Sequence, residues 1–191
     1  DDVDLSEIAR SLGYQCRYNG CTIRYYSVAE HCVLVSQALE RDGHDALTQL
    51  AGLLHDAAEA YTGDITYPVQ QVVLREVGPR TAYRSMQREL DVLIAQHAHM
   101  EDWADLSDLM HRDPVREYDL RILLDERDRL LTGRPRAWDL DELGMMPLGV
   151  IVEGWAPDGY ASTVTGDWQP GAGDRWMERL AQLQRRLMGG P

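Results

Sequence analysis

The sequence is short of basic residues, of cysteines and of long apolar runs. Among its 191 residues, 19 are Lys or Arg against 32 Asp or Glu, so the formal net charge is -13. So acidic a surface repels phosphate backbones and anionic lipid head groups, which excludes long nucleic acid as a partner. A small anionic ligand would need a local cation, either arginine side chains or a bound metal.

The three cysteines, Cys16, Cys21 and Cys32, are odd in number and have no CxxC spacing. Neither a disulfide framework nor a cysteine zinc site is therefore supported, and we expect a reduced, cytoplasmic setting. No apolar run reaches the length of a membrane span, and the acidic start does not resemble a signal peptide. We therefore expect no membrane partner.

Composition and periodicity indicate a mostly α-helical protein. Hydrophobic residues make up 44% and charged residues 27% of the chain, both typical of globular proteins. The length suits one domain over residues 1–191 with a genuine apolar core. Apolar residues recur at helical intervals, and we find no internal repeat or low-complexity tract.

Six helices are predicted from this periodicity and from local capping signals. Ser27 opens a Ser-x-x-Glu capping box with Glu30, and Asp113-Pro114 predicts a cap followed by a first-turn proline. Between Arg134 and Gly173 the pattern predicts irregular structure, with a solvated loop over the acidic run 139–142 and a strand-like fragment at 150–152. The predicted helices cover residues 5–12, 28–41, 46–61, 79–98, 114–133 and 174–188.

Ionisable residues interrupt the apolar faces of three of these helices. His31 lies in the middle of one helix, and His55-Asp56 lie in the next, with Glu59 four residues after His55. Asp119 lies on the apolar side of a third helix. Such groups are costly on a half-buried face unless something pairs them. Two imidazoles and two carboxylates form a mixed nitrogen and oxygen set that suits a divalent transition-metal ion and leaves room for water or a substrate oxygen.

The order His31, His55-Asp56, Asp119 resembles the H...HD...D motif of the HD-domain metal-dependent phosphohydrolase superfamily. That resemblance implies an all-α HD-domain helical bundle. It also implies that these four residues hold a divalent ion such as Zn, Co or Mn, and that the chain assembles as a homo-oligomer.

Two longer stretches narrow the resemblance. Residues 26–31 and 53–65 look like the compact bacterial and phage branch that contains 5'-deoxynucleotidases and phage dATP triphosphohydrolases. Within that branch Glu59 matches the catalytic carboxylate and Asp64 matches a second acidic residue beside the water or the sugar.

The resemblance also assigns two residues to the substrate. Arg17 matches an arginine that contacts phosphate, which its planar guanidinium suits. Tyr18 stands where some relatives carry a tryptophan that packs on the nucleoside, so stacking is expected to survive with altered selectivity.

The substrate implied is a small deoxynucleotide whose 5' P–O bond is cleaved. The leading interpretation is a dATP-like deoxynucleoside triphosphohydrolase that releases inorganic triphosphate. The alternatives are a 5'-deoxynucleotidase acting on monophosphates, an alarmone or cyclic-nucleotide phosphodiesterase, and a non-catalytic nucleotide sensor. The complete ligand set weighs against the sensor.

Overall fold

The computed structural model describes residues 3–66, 69, 71–72, 82–99, 102–131, 138–163 and 165–189. Within these ranges the regular structure is helical apart from one short antiparallel pair of strands, which confirms the predicted all-α class. None of the helices in this part of the chain combines the length and the apolarity that a membrane crossing requires.

The elements follow one another in a simple order. A 3₁₀ turn, Arg17–Gly20, lies between the first two helices, and the strands β1 (Tyr160–Ala161) and β2 (Trp168–Gln169) pair through Tyr160 and Gln169. The helices are α1 (Leu5–Tyr14), α2 (Val28–Arg41), α3 (Ala46–Leu54), α4 (Glu59–Thr62), α5 (Ala82–Ala98), α6 (Trp103–Leu109), α7 (Val115–Leu130), α8 (Asp139–Glu142) and α9 (Ala172–Leu187).

Helix α2 is the centre of the bundle. It packs against α1, α3, α7 and α9, and α9 in turn packs across α1 and α3. Burial on several sides explains why nearly every side chain of α2 is buried. At Gly52 of α3, a Cβ atom would stand 2.5 Å from Leu39 Cδ1, so glycine permits the close approach of α3 to α2.

The start of α2 confirms half of the predicted capping box. The Ser27 hydroxyl accepts a hydrogen bond from the Glu30 backbone N–H at 3.1 Å, and the helix has the predicted bounds. The Glu30 carboxylate, however, does not complete the box. It is fully buried and accepts the backbone N–H groups of Glu153, Gly154 and Trp155 at 2.9, 2.9 and 2.6 Å. Three long-range donors satisfy both of its oxygens.

The predicted helix 46–61 is wrong in one respect, because it is broken after Leu54. Residues 55–58 form turns in which Ala57 N–H donates to the Leu54 carbonyl at 2.8 Å and Glu59 N–H to the Asp56 carbonyl at 3.0 Å. These bonds span three residues instead of four. Helix α4 then begins at Glu59, and the break falls at the predicted ligand pair.

Other boundaries shift by one to three residues. Helix α1 extends to Tyr14. Helix α7 begins at Val115 with Pro114 in the cap position and without a side-chain cap. Helix α9 begins two residues early because the Asp174 carboxylate accepts the Gly171 N–H at 2.9 Å, within the first turn. Residues 79–81 and 132–133 of the predicted helices lie outside the described ranges.

The region after α7 contains more structure than predicted. The acidic run 139–142 forms α8 because Asp141 pairs with Arg127 of α7, and the Trp138 ring lies 5.6 Å from the same guanidinium.

Two further differences concern other segments. Residues 150–152 form no strand within the described part of the chain, and α6, which precedes α7, was not predicted.

The Glu30 anchor generates a prediction about stability. Glu30→Ala leaves three backbone N–H groups without their carboxylate, so we expect the free energy of unfolding to fall by about 2–4 kcal/mol. Gln37→Ala, on the exposed face of the same helix, is the matched control and should change it by less than about 0.5 kcal/mol. Urea denaturation of both variants measures the difference; equal midpoints would contradict the anchor.

Candidate active site

The four predicted ligand side chains are brought together at one end of the bundle. The Nε2 atoms of His31 and His55 lie 3.2 Å apart, and His55 Nε2 lies 3.3 Å from Asp56 Oδ2. Asp119 Oδ1 lies 3.2 Å from His31 Nε2 and 3.7 Å from His55 Nε2. Ligands around a transition-metal ion lie roughly 3.0–3.5 Å apart when each is about 2.1 Å from it. The donor atoms of His31, His55 and Asp56 therefore suit a single divalent ion, and Asp119 lies against the two histidines.

Part of this cluster is open to solvent. The ligand atoms of His31, His55 and Asp56 all lie within 4.8 Å of one another, and the His31 side chain is fully buried. The Asp56 and Asp119 side chains keep 22% and 34% of their exposure. A small ligand could therefore approach on the carboxylate side.

Two adjacent residues in the turn after α3 contribute donor atoms to the cluster, because His55 Nε2 and Asp56 Oδ2 lie 3.3 Å apart. His55 Nδ1 lies 2.9 Å from the Gly52 carbonyl, to which it donates, and this bond aims Nε2 into the cluster.

Glu126 is a buried member of the site that the sequence analysis missed. Its Oε1 lies 2.6 Å from His31 Nδ1 and accepts the Tyr26 hydroxyl at 2.8 Å. Its Oε2 accepts the Tyr18 hydroxyl at 2.5 Å and lies 3.5 Å from Arg17 Nε. Glu126 is fully buried, so these contacts replace its hydration.

A signal for Glu126 is present in the sequence. It lies seven residues after Asp119, two helical turns along α7, so both carboxylates belong to one face of that helix. The intervening Ile122 of that face is fully buried. A carboxylate in register with a predicted ligand on a buried face is the pattern that would have found it.

Mutual neutralisation governs the charges in the cluster. Burial opposes ionisation of Asp56 and Glu126, but the neighbouring cations outweigh it and lower the pKa of each carboxyl to about 2. For Asp56 the main cation is His55, and for Glu126 it is Arg17 followed by His31. Burial also disfavours imidazolium, yet nearby carboxylates raise the pKa of both histidines. A metal ion would displace those protons when it binds.

Glu59 lies beside this cluster in a different electrostatic state. Burial, followed by repulsion from Asp56, raises the pKa of Glu59 to about 9, so its carboxyl group holds a proton at neutral pH. Its Oε2 is buried and has no hydrogen-bond partner among the described residues. Burial also raises the pKa of Asp64, against the opposing effect of Arg17. Perturbed carboxyl groups of this kind are typical of sites that transfer protons.

Arg17 and Tyr18 reach the cluster from the 3₁₀ turn. Arg17 Nη1 lies 3.3 Å from Asp56 Oδ2, and its backbone N–H donates to the Tyr26 carbonyl at 2.9 Å. Tyr18, Asn19 and Gly20 have φ angles of 56°, 51° and 73°, in the left-handed region. This conformation is unfavourable for a tyrosine, so surrounding contacts must hold it. The substrate roles of Arg17 and Tyr18 stay predictions.

The comparisons with known proteins agree with this architecture. A family model described as HD domain matches residues 26–133, which is more than half of the chain. The chain belongs to the HD-domain family. In this HD domain the ligand atoms of His31, His55 and Asp56 form a group that could hold a metal ion.

Two curated relatives of this HD domain are described as uncharacterized proteins. Escherichia coli K12 YfdR is 31% identical over 127 residues, which cover 66% of this chain and 61% of YfdR. Rhodobacter capsulatus RCAP_rcc00048 is 40% identical over 76 residues, which cover 38% of this chain and 39% of that protein. The matches thus span about three fifths and two fifths of the relatives' lengths.

The cluster generates a prediction about metal binding. His55→Ala or Asp56→Ala removes one of the converging donor atoms, so we expect the purified variants to lose both bound divalent metal and hydrolysis. His97→Ala is the control, because His97 is exposed and contacts only the Leu93 carbonyl among the described residues. Elemental analysis of the dialysed proteins measures how much metal each variant retains. Stoichiometric metal and near-native rate in the first two variants would refute the site.

Proposed function

We propose that this HD domain hydrolyses the bond between the α-phosphorus and the 5' oxygen of a deoxynucleotide, with a dATP-like triphosphate as the leading substrate. One observation carries the proposal: a set of converging metal-ligand atoms lies beside the arginine Arg17 and the buried carboxyl of Glu59. The resemblance of residues 26–31 and 53–65 to deoxynucleotide hydrolases supports the choice of nucleotide.

In this reaction a water oxygen bonds to the α-phosphorus while the bond to the 5' oxygen breaks. A bound divalent ion would supply a polarised phosphoryl oxygen and an acidified water. Arg17 would turn its Nη1 group from Asp56 to a phosphate oxygen while its Nε stays beside Glu126. The deoxynucleoside leaves with a proton on its 5' oxygen, and a triphosphate substrate releases inorganic triphosphate.

Glu59 is suited to manage that proton. Because its pKa is about 9 in this environment, the carboxyl can donate a proton to the leaving 5' oxygen and recover one from the attacking water. Asp64, whose pKa is also raised, lies close enough to Arg17 and Asp56 to feel their charges and would assist on the same side. The Asp64 role rests on the resemblance together with this electrostatic coupling.

A 5'-deoxynucleotidase acting on monophosphates is the second candidate. Among the described residues, Arg17 is the one arginine that forms an ion pair with the cluster, through Asp56 and Glu126. A single guanidinium is enough for one phosphate, whereas a triphosphate carries more charge to neutralise. The scissile bond is the same in both substrates.

The proton role of Glu59 generates a prediction. Glu59→Ala should keep its bound metal and its nucleotide affinity but lose hydrolysis by roughly 100-fold or more, since a positioned acid or base contributes about that factor. Metal content, nucleotide titration and turnover are measured on the same preparation. If metal is lost and the rate follows the remaining occupancy, Glu59 is a ligand or a structural support.

The products of wild-type turnover test the substrate. We expect dATP with added Mn, Co or Zn to give inorganic triphosphate and deoxyadenosine, separated by ion-exchange chromatography. Orthophosphate from dAMP with dATP left intact would overturn the triphosphohydrolase in favour of the nucleotidase. Turnover of neither compound by metal-loaded protein would refute the proposed function as a whole.

A further inference from the structure

The two oxygens of the Glu126 carboxylate contact two different parts of the site. Oε1 lies against His31 and Tyr26, which belong to α2 and the residues just before it. Oε2 lies against Tyr18 and Arg17, which belong to the 3₁₀ turn. One buried side chain of α7 therefore joins the predicted metal ligands to the predicted phosphate and nucleoside contacts.

The Oε1 contact fixes how His31 is presented. A carboxylate at neutral pH accepts and does not donate, so the Nδ1 atom of His31 carries the proton at their 2.6 Å contact. The Nε2 atom then faces His55 and Asp119 with its lone pair available to an ion. A carboxylate behind a ligand histidine sets both its tautomer and its ring orientation.

The Oε2 contact adds a side-chain anchor to a turn that the bond from Arg17 N–H to the Tyr26 carbonyl also holds. Tyr18 and Asn19 are in the left-handed region, which non-glycine residues seldom adopt. The Tyr18 hydroxyl ends on Glu126 at 2.5 Å, and Arg17 lies against the same oxygen. Without that anchor the Tyr18 hydroxyl would lose its partner, and Arg17, which lies beside Asp56, would lose its contact with Oε2.

We propose that Glu126 is a positioning residue with two roles. In its metal role Oε1 orients His31 for metal binding, and in its nucleotide role Oε2 holds the Arg17–Tyr18 turn for the nucleotide. The nucleotide role rests on the proposed function, whereas the metal role rests on the ligand cluster alone. Both oxygens of Glu126 are taken up by His31, Tyr26, Tyr18 and Arg17, so Glu126 acts through these partners.

The metal role is tested by titrating metal-free protein with Zn or Mn and measuring Kd by calorimetry. Glu126→Gln keeps the shape but puts an amide in place of one accepting oxygen, so we expect Kd to rise about 10- to 100-fold. Asp125→Asn is the matched control. This neighbouring carboxylate is also buried, but it accepts the Leu148 and Gly149 N–H groups at 2.7 and 3.1 Å and contacts no residue of the cluster among those hydrogen bonds. Its Kd should stay within about twofold of wild type.

Arg17→Gln separates positioning from simple charge pairing. If Glu126 served only to neutralise Arg17, removing either partner would have the same effect. We expect Arg17→Gln to bind metal at least as tightly as wild type, because a cation has been removed from beside the ion. Should Glu126→Gln fail to fold because Arg17 has lost one of its two carboxylates, the Arg17→Gln/Glu126→Gln variant removes both charges and should still show the weakened Kd.

The nucleotide role is tested with Tyr18→Phe, which keeps the ring but loses the bond to Oε2. We expect its KM, for whichever of dATP or dAMP the wild type hydrolyses, to rise about 3- to 10-fold, with kcat and metal Kd nearly unchanged. In Glu126→Gln, KM at saturating metal should rise as well.

The metal role would be overturned if the metal Kd of folded Glu126→Gln, or of the double variant, lay within twofold of wild type. An unchanged KM in Tyr18→Phe would overturn the nucleotide role. The metal titrations need no substrate, so they decide the metal role even if neither nucleotide is hydrolysed; that result would contradict the proposed function instead.

Discussion

Charge compensation around His31 is the constraint on which the arrangement of this end of the bundle depends. Carboxylates from the turn after α3 and from α7 lie beside two imidazoles and a guanidinium, largely away from water. An unpaired charge in such a place costs several kcal/mol, so each group is tolerable only while its partners stay within contact. The positions of α2, α7 and the 3₁₀ turn are thereby fixed relative to one another.

The packing of the helices makes this cluster possible. Because Gly52 lets α3 approach α2 closely, the end of α3 comes within reach of the first turn of α2, where His31 lies. The Gly52 carbonyl also orients His55, so one residue serves the packing of the helices and the direction of a predicted ligand. In the turn that follows, His55 Nε2 and Asp56 Oδ2 lie 3.3 Å apart.

Features that depend on neighbours in the sequence were predicted, and those that depend on distant partners were not. The bounds of α2 follow from a serine cap and a helical period, and the order of the ligands follows from polar residues on apolar faces. The contact between His31 and Glu126 spans 95 residues, and those of Glu30 span 123 to 125, so no local pattern encodes them. The break after α3 was missed because helical periodicity continues through it.

The contacts that the last third of the chain makes with α2 and α3 limit how far this HD domain can be truncated. The family match covers residues 26–133, but α1 lies before it and α9 after it, and these two helices pack on each other and on α2. The Trp176 indole of α9 donates to the Leu53 carbonyl at 3.2 Å, and Glu30, next to His31, accepts three amides beyond residue 150. A fragment trimmed to the match would expose the faces of α2 and α3 on which α1 and α9 pack. The borders of sequence similarity are therefore not the borders of an autonomous folding unit, and an excised version needs both flanks.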